Sequence, residues 1–256
     1  MLKLSAILLC LVAACPLQAK QQLRWCVWEF PGNVDFNNTA KEAQGVSVDF
    51  MQELARRAGF ELLISKNTPP VRCLKELTDG SSDLVVSILK AGDGREAIEY
   101  IPYGARQPDR VYLSVTDNRK LQQVTELSTM TLAAIRNYGF HPKVTTIVDA
   151  MPPSQVIRVN SIYSALEVVA KQRVTAALLP PIQVRAVLQE NPELAAKIRE
   201  VSFPLNIVTP QLVYIGLAKS CQCPHISQAI QQSITTMAVD GSIKRIFGDR
   251  IIEFTD

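Results

Sequence analysis

Trp28 and Phe30 follow directly on a short apolar run, Leu23 to Val27, and set two aromatic rings where a strand would end. Rings at a strand exit give a small ligand an apolar wall or a stacking face; otherwise one of them packs into the core. Arg72 stands at the head of a helical pattern, and Arg136 leaves the apolar stretch Thr131 to Ile135 just before Asn137-Tyr138-Gly139. A guanidinium keeps its charge at any working pH and meets an anion through paired hydrogen bonds. The plainer roles are local, with Arg72 bonded to strand carbonyls and Arg136 to a neighbouring acid. Asn160 and Ser161 open another helical pattern, where they cap free amides or leave those amides to hold a ligand oxygen. Tyr138 walls the same space or packs.

Past the N-terminal leader four cysteines remain, Cys26, Cys73, Cys221 and Cys223. In an oxidising compartment they suit disulfides, and sequence leaves three pairings open. Cys221-x-Cys223 closes on itself only with strain, and it is a weak metal motif because His141 and His225 show no ligand spacing. No metal or cofactor is expected.

The elements that position these residues are legible between Gly45 and Arg95. Ser47 offers a hydroxyl cap and Asp49 an early acid, after which Phe50, Met51, Leu54, Ala55 and Ala58 recur at helical spacing until Gly59. Phe60 to Ile64 reads as a strand, and Thr68-Pro69-Pro70 starts a second helix that carries Val71, Leu74 and Leu77 to a stop at Gly80. Asp83 to Leu89 then reads as a buried strand. Helix, strand, helix, strand in that order predicts an α/β protein with mostly parallel sheets. Farther along, the pattern gives a strand at Thr131 to Ile135, a helix at Ser161 to Lys171, a strand at Val174 to Leu178, a helix at Ile182 to Leu188 and a Pro192-capped helix to Ile198.

The chain has 256 residues, 47% apolar and 20% charged, enough to bury a sizeable core as one or two domains. Its formal charge of +3 falls to +2 without a leader whose one charged residue is Lys3, too little and too scattered for nucleic acid. Residues 1–19 read as a signal peptide: Lys3 precedes an apolar run, Leu4 to Ala14, and small residues follow. Cleavage after Ala19 is the expected processing, against lipidation of Cys15 in Val12-Ala13-Ala14-Cys15. No later stretch reaches the roughly 18 apolar residues of a membrane-spanning helix.

Several motifs in order carry a resemblance. They are the opening strand with its aromatic loop, the Gly45-x-x-x-Asp49 helix start, the Arg72-x-Leu74-x-x-Leu77-x-x-Gly80-x-x-Asp83 block, Lys171-Gln172-Arg173-Val174-Thr175-Ala176-Ala177, and a closing pattern through Ile226, Ile230, Ile234, Met237, Asp240-Gly241, Ile243 and Ile246. Together they resemble the periplasmic solute-binding proteins of type II architecture, in the family 3 group that serves polar amino acid uptake. The resemblance implies a two-lobed α/β fold, each lobe a mostly parallel sheet flanked by helices. Lobe one would hold residues 20–112 plus 215–256 and lobe two 113–214, with crossings near Arg110 to Thr116 and Val208 to Tyr214. It also implies a monomeric periplasmic protein that does no covalent chemistry and delivers a small solute to the permease of an ABC transporter. In the family's fold Cys26 and Cys73 lie near one edge of the sheet, which makes them the first-choice disulfide.

Residue by residue, Arg95 falls where the family reads a ligand carboxylate, whereas Lys90 and Gly92 replace the usual serine and threonine and Asp93 is close enough to pair with Arg95. Thr175 replaces an aspartate, and Leu179-Pro180-Pro181 occupies the stretch where the family places the acid that receives a ligand ammonium. A buried ammonium without an acid is costly, so Glu29, Asp35 or another acid substitutes, or the ligand lacks that group. The expected ligand is a small polar or anionic solute, amino acid-like or a carboxylate, and the missing acid weighs against a standard α-amino acid. Two rivals share the fold: a periplasmic sensor subunit, and an enzyme resembling cyclohexadienyl dehydratase, for which Glu29 is the acid to test.

Overall fold

The computed structural model describes residues 20–36, 42–90, 96–136, 138–201 and 211–252. The leader with its two processing sites, Gly92, Asp93, Arg95, Asn137 and residues 208–210 of the expected second crossing lie outside the described residues.

β1 (Gln22–Trp25) leads through a loop to a short ribbon, β2 (Asp35–Phe36) against β3 (Ala43–Gln44), and on to α1 (Val46–Ala58). All five apolar positions that announce α1 are buried, and Gly59 ends the helix in the left-handed conformation at φ 79. Ser47 does not cap it as expected: the cap falls on Gly45, and Ser47 is buried in the first turn. Gly45 has φ 114, and a Cβ there would stand 2.7 Å from the Asn33 carbonyl oxygen, which excludes any side chain.

β4 (Glu61–Ile64), α2 (Pro70–Asp79) and β5 (Leu84–Ile88) follow in the expected order, and then β6 (Ile98–Arg106) and β7 (Arg110–Ser114). Next come β8 (Leu132–Ile135), α3 (Pro142–Ala150), β9 (Val156–Val159), α4 (Ile162–Ala170), β10 (Ala176–Leu179), α5 (Pro181–Glu190), α6 (Pro192–Ala195) and β11 (Ile198–Val201). α6 is a single turn rather than a helix reaching Ile198, because Ile198 and Val201 bury themselves in a strand paired with β7. β12 (Gln211–Ala218), α7 (Pro224–Val239), α8 (Ser242–Phe247) and β13 (Ile251–Ile252) complete the described chain.

Apart from the β2–β3 ribbon, the strands form two sheets built on one plan. In the first, β4, β1 and β5 are parallel neighbours, β12 runs antiparallel to β5, and β6 and β13 lie beyond it. In the second, β9, β8 and β10 are parallel neighbours, β7 runs antiparallel to β10, and β11 lies beyond. β7 pairs wholly within the second sheet, so the chain passes between sheets across Gln107–Asp109, upstream of the expected Arg110 to Thr116.

Each sheet is covered by helices. In the first lobe Phe50, Tyr103 and Phe247 meet with ring centroids 4.8 to 5.7 Å apart, tying α1, β6 and α8 into one core. Across its surface Glu53 bonds both Arg56 and Arg57, and Arg57 reaches Asp240 in the turn before α8. Hydrogen bonds from Arg56 and Arg57 hold the Glu53 carboxyl down at about 2. A carboxyl depressed on folding stabilises above its ordinary range and loses that contribution as pH falls through the folded value. Stability of the native protein is therefore expected to decline between pH 4.5 and about 2, and Glu53→Gln, followed by urea unfolding across that range, should flatten the decline. Glu53 is partly exposed, so the effect is small.

Candidate functional site

Open α/β sheets offer ligands the space beyond the carboxyl ends of their parallel strands. Here the two sheets turn those ends toward each other. Gly32, after β1, packs against Ala186 of α5, where an added Cβ would lie 3.4 Å from that of Ala186. Gly139, after β8, packs against Leu89, after β5, where an added Cβ would lie 2.8 Å from Leu89 Cδ1. Arg185 of α5 also faces Asp249 of the first lobe at 3.5 Å. The lobes are in contact along both strand exits.

The loop after β1 is fixed from one side. Ser65 Oγ accepts from the Val27 amide, Asn67 Oδ1 accepts from the Glu29 amide, and the Thr68 amide donates to the Val27 carbonyl. Cys26 and Cys73 add a covalent pin, their Cα atoms 5.4 Å apart and both side chains fully buried. Held this way, Trp28 and Phe30 border a pocket whose apolar wall is completed by Trp25, Val27, Val34 and Val86. Trp28 borders the pocket on one side and also packs on the cluster around Cys26, Cys73 and Ile88.

Two serines that sequence reasoning missed as site residues line the same pocket, Ser47 and Ser87. Ser87 has φ 61, a left-handed conformation rare outside glycine, and its Oγ shares a 2.8 Å hydrogen bond with the buried Tyr103 hydroxyl. Ser47 is 2% exposed, and its Oγ has no hydrogen-bond partner among the described residues. A buried unpaired hydroxyl costs stability that a methyl does not. Ser47→Ala is thus expected to raise the melting temperature of the free protein slightly while weakening solute binding, as calorimetric unfolding and titration of the same variant would reveal.

The predicted polar residues divide. Lys90 is exposed directly after β5, and Arg72 is exposed in the first turn of α2, beyond the carboxyl end of β4. Arg136 and Asn160 are brought together, an Arg136 Nη1 hydrogen bond reaching Asn160 Oδ1 at the exits of β8 and β9. Ser161 caps α4, its Oγ accepting from the Ser164 amide at 3.1 Å. Glu29 is exposed and Asp35 half-buried, while Pro180 and Pro181 are buried at the exit of β10.

Tyr138 belongs to a polar cluster at the passage between the lobes. Its hydroxyl donates to Asp109 Oδ1 at 2.6 Å and accepts from Arg106 Nη1. Arg106 also donates to Asp109 Oδ2 at 3.1 Å, to the Gly139 carbonyl at 2.8 Å and to Gln211 Oε1 at 2.7 Å, while Gln211 donates to the Phe140 carbonyl at 3.1 Å. One end of β6, one end of β12 and the loop after β8 are thereby clasped. Burial pushes the Asp109 carboxyl up, and the Arg106 charge with the Tyr138 hydroxyl pulls it back. Burial also drives the Tyr138 phenol well above its ordinary range, so it stays a donor to Asp109.

Two lobes of this topology, facing each other across their strand exits, have the periplasmic-binding-protein type II fold. No protein-family model matches the sequence, and no curated protein matches it. Solved structures match over nearly the whole chain at low identity. A histidine kinase sensor domain with similarity to periplasmic binding proteins aligns with TM-score 0.75 and 11% identity, over 92% of this chain and 98% of its own. The amino acid ABC transporter substrate-binding protein AbpA of Streptococcus pneumoniae, bound to L-arginine, aligns with TM-score 0.70 and 14% identity over 90% of this chain and 94% of its own. The L-cystine solute receptor of Neisseria gonorrhoeae, unliganded and open, aligns with TM-score 0.61 and 15% identity over 93% and 96%.

Proposed function

We propose that this chain is an exported solute-binding protein that closes its two lobes on a small polar or anionic solute and presents it to an ABC permease in the membrane. The observation that carries this reading is the pocket at the exits of β1 and β5, with an aromatic wall and two serine hydroxyls, placed where the opposite lobe meets it. The pneumococcal protein bound to L-arginine and the gonococcal L-cystine solute receptor support solute capture on this fold. The solute of this chain differs from a standard α-amino acid, because Leu179-Pro180-Pro181 offers no carboxylate to an ammonium. Lys90, Arg95 and Arg136 supply the positive charge for an acidic group, and Trp28 and Phe30 flank its apolar part. Export follows from residues 1–19, with cleavage after Ala19 and with Cys15 lipidation as the other route. The lobes turn about Gln107–Asp109, where the chain passes from one sheet to the other. The sensor-domain neighbour supports a second reading, in which the closed form docks on a signalling receptor rather than a permease.

A thermal-shift screen of the processed protein against small carboxylates, amines, amino acids and short peptides tests capture. A solute at a hundred times its dissociation constant adds about 2.7 kcal/mol to the folded state. A selective rise that Trp28→Ala removes, with the solute recovered chemically unchanged, is the expected result. A flat response across the library would overturn the reading, and a solute converted on incubation would make the protein an enzyme.

A further inference from the structure

Cys221 and Cys223 form a second disulfide across one intervening residue, their Cα atoms 5.2 Å apart. It differs from the Cys26–Cys73 bond in three respects. Cys26 and Cys73 are sealed in the core, whereas Cys221 and Cys223 are only partly buried, so a dissolved thiol can reach one pair and not the other. Cys223 is the N-cap of α7, a 16-residue helix whose free amides and dipole stabilise a thiolate at that position. Gln222 between the two is held at φ 48 and ψ 38, a left-handed conformation that an L side chain disfavours and that the opened pair is free to leave.

We propose that Cys221–Cys223 is a thiol–disulfide exchange site for small thiols of the glutathione class. The thiolate of the small molecule attacks Cys221 Sγ, forming a mixed disulfide there. The Cys221–Cys223 bond breaks and its electron pair goes to Cys223 Sγ, which leaves as a thiolate at the head of α7. A second small thiolate attacks the outer sulfur of the mixed disulfide, releasing the small-molecule disulfide and the Cys221 thiolate, which takes up a proton. Two thiols are oxidised to one disulfide while the protein pair gains two electrons. Attack at Cys221 is favoured because the sulfur that must leave is the one at the helix terminus. β12 runs antiparallel to β5, so the pair after its carboxyl end lies at the end of the sheet opposite the strand exits of the cleft. Exchange there is independent of solute capture and goes beyond the function proposed above.

The test is timed incubation of the oxidised full chain with reduced glutathione under native conditions, followed by alkylation and peptide mass spectrometry. Cys221 and Cys223 should be alkylated about a hundredfold faster than Cys26 and Cys73. A Cys223→Ser variant, which lacks the resolving sulfur, should accumulate glutathione on Cys221 when given oxidised glutathione, with its circular dichroism unchanged. Equal rates for the two pairs, opening of Cys221–Cys223 only on unfolding, or no glutathione on Cys221 in the variant would each overturn the proposal. So would a fall in melting temperature on selective reduction as large as that caused by losing Cys26–Cys73, since the pair would then be a structural clip.

Discussion

Replacing Cys26 and Cys73 together by alanine is expected to lower stability by about 4 kcal/mol, the loop-closure entropy of a bond that spans 47 residues. The bond joins the end of β1 to the first half of α2, and among the described residues no other covalent link holds the aromatic loop against that helix. The double variant should therefore unfold at lower urea concentration and also bind solute less tightly, because Trp28 and Phe30 lose the pin that orders them. Equilibrium unfolding of the oxidised protein and the variant side by side measures the first effect. A loss under about 1 kcal/mol would mean that the unfolded chain is already compact near these residues or that the native bond is opposed by its surroundings.

Asp109→Ala is expected to cost about 3 kcal/mol, by leaving the Arg106 guanidinium buried without its carboxylate. The figure sits at the low end for a broken buried pair because Arg106 keeps Gln211, the Gly139 carbonyl and the Tyr138 hydroxyl as acceptors. Asp109→Asn, which retains an acceptor for Tyr138, should cost about half as much. Replacing both charges with apolar residues, Arg106→Met with Asp109→Leu, should recover most of the loss. These residues clasp the passage between the lobes, so the single variant should also shift the balance between open and closed forms. Small-angle scattering of Asp109→Ala with and without solute would report that shift, and a variant as stable as the parent would remove the cluster from the account.

How much of this was legible in the sequence depended on whether the signal was local. α1 was legible because Phe50, Met51, Leu54, Ala55 and Ala58 recur on one face and all five are buried. Its first turn departs from the pattern: Ser47 is a good capping residue, yet the cap falls on Gly45, where the Asn33 carbonyl leaves no room for a side chain. Parallel strands announced themselves as apolar runs, as in Leu84 to Ile88. β6 did not, since it carries Pro102, Glu99 and Arg106 and is recognised only through its pairing with β12. The helix read from Pro192 to Ile198 shortens to one turn because Ile198 to Val201 form a strand on the edge that β7 offers.

The site was half legible. Trp28 and Phe30 follow a strand, and a strand exit is where an α/β sheet takes its ligands. Arg136 and Asn160 were each singled out, and the structure adds that they bond to each other. Tyr138 was placed in the right loop, yet its partners, Arg106 and Asp109, come from a segment roughly thirty residues upstream that carries no local pattern. Ser87 gave no signal either, because neither its left-handed backbone nor its hydrogen bond to Tyr103 shows in the local pattern of an apolar strand. The Cys221–Cys223 bond was expected only with strain; it closes with Gln222 turned into the left-handed region.

The chain has two tryptophans, Trp25 and Trp28, and both border the proposed pocket. Their fluorescence therefore reports on the cleft without any label. Titration of the processed protein with a solute from the thermal-shift screen is expected to give a saturable change in tryptophan emission, with the midpoint of the thermal-shift response, and Trp28→Phe should remove most of it. Saturable binding that leaves the emission untouched in both proteins would place the solute elsewhere and contradict the central claim.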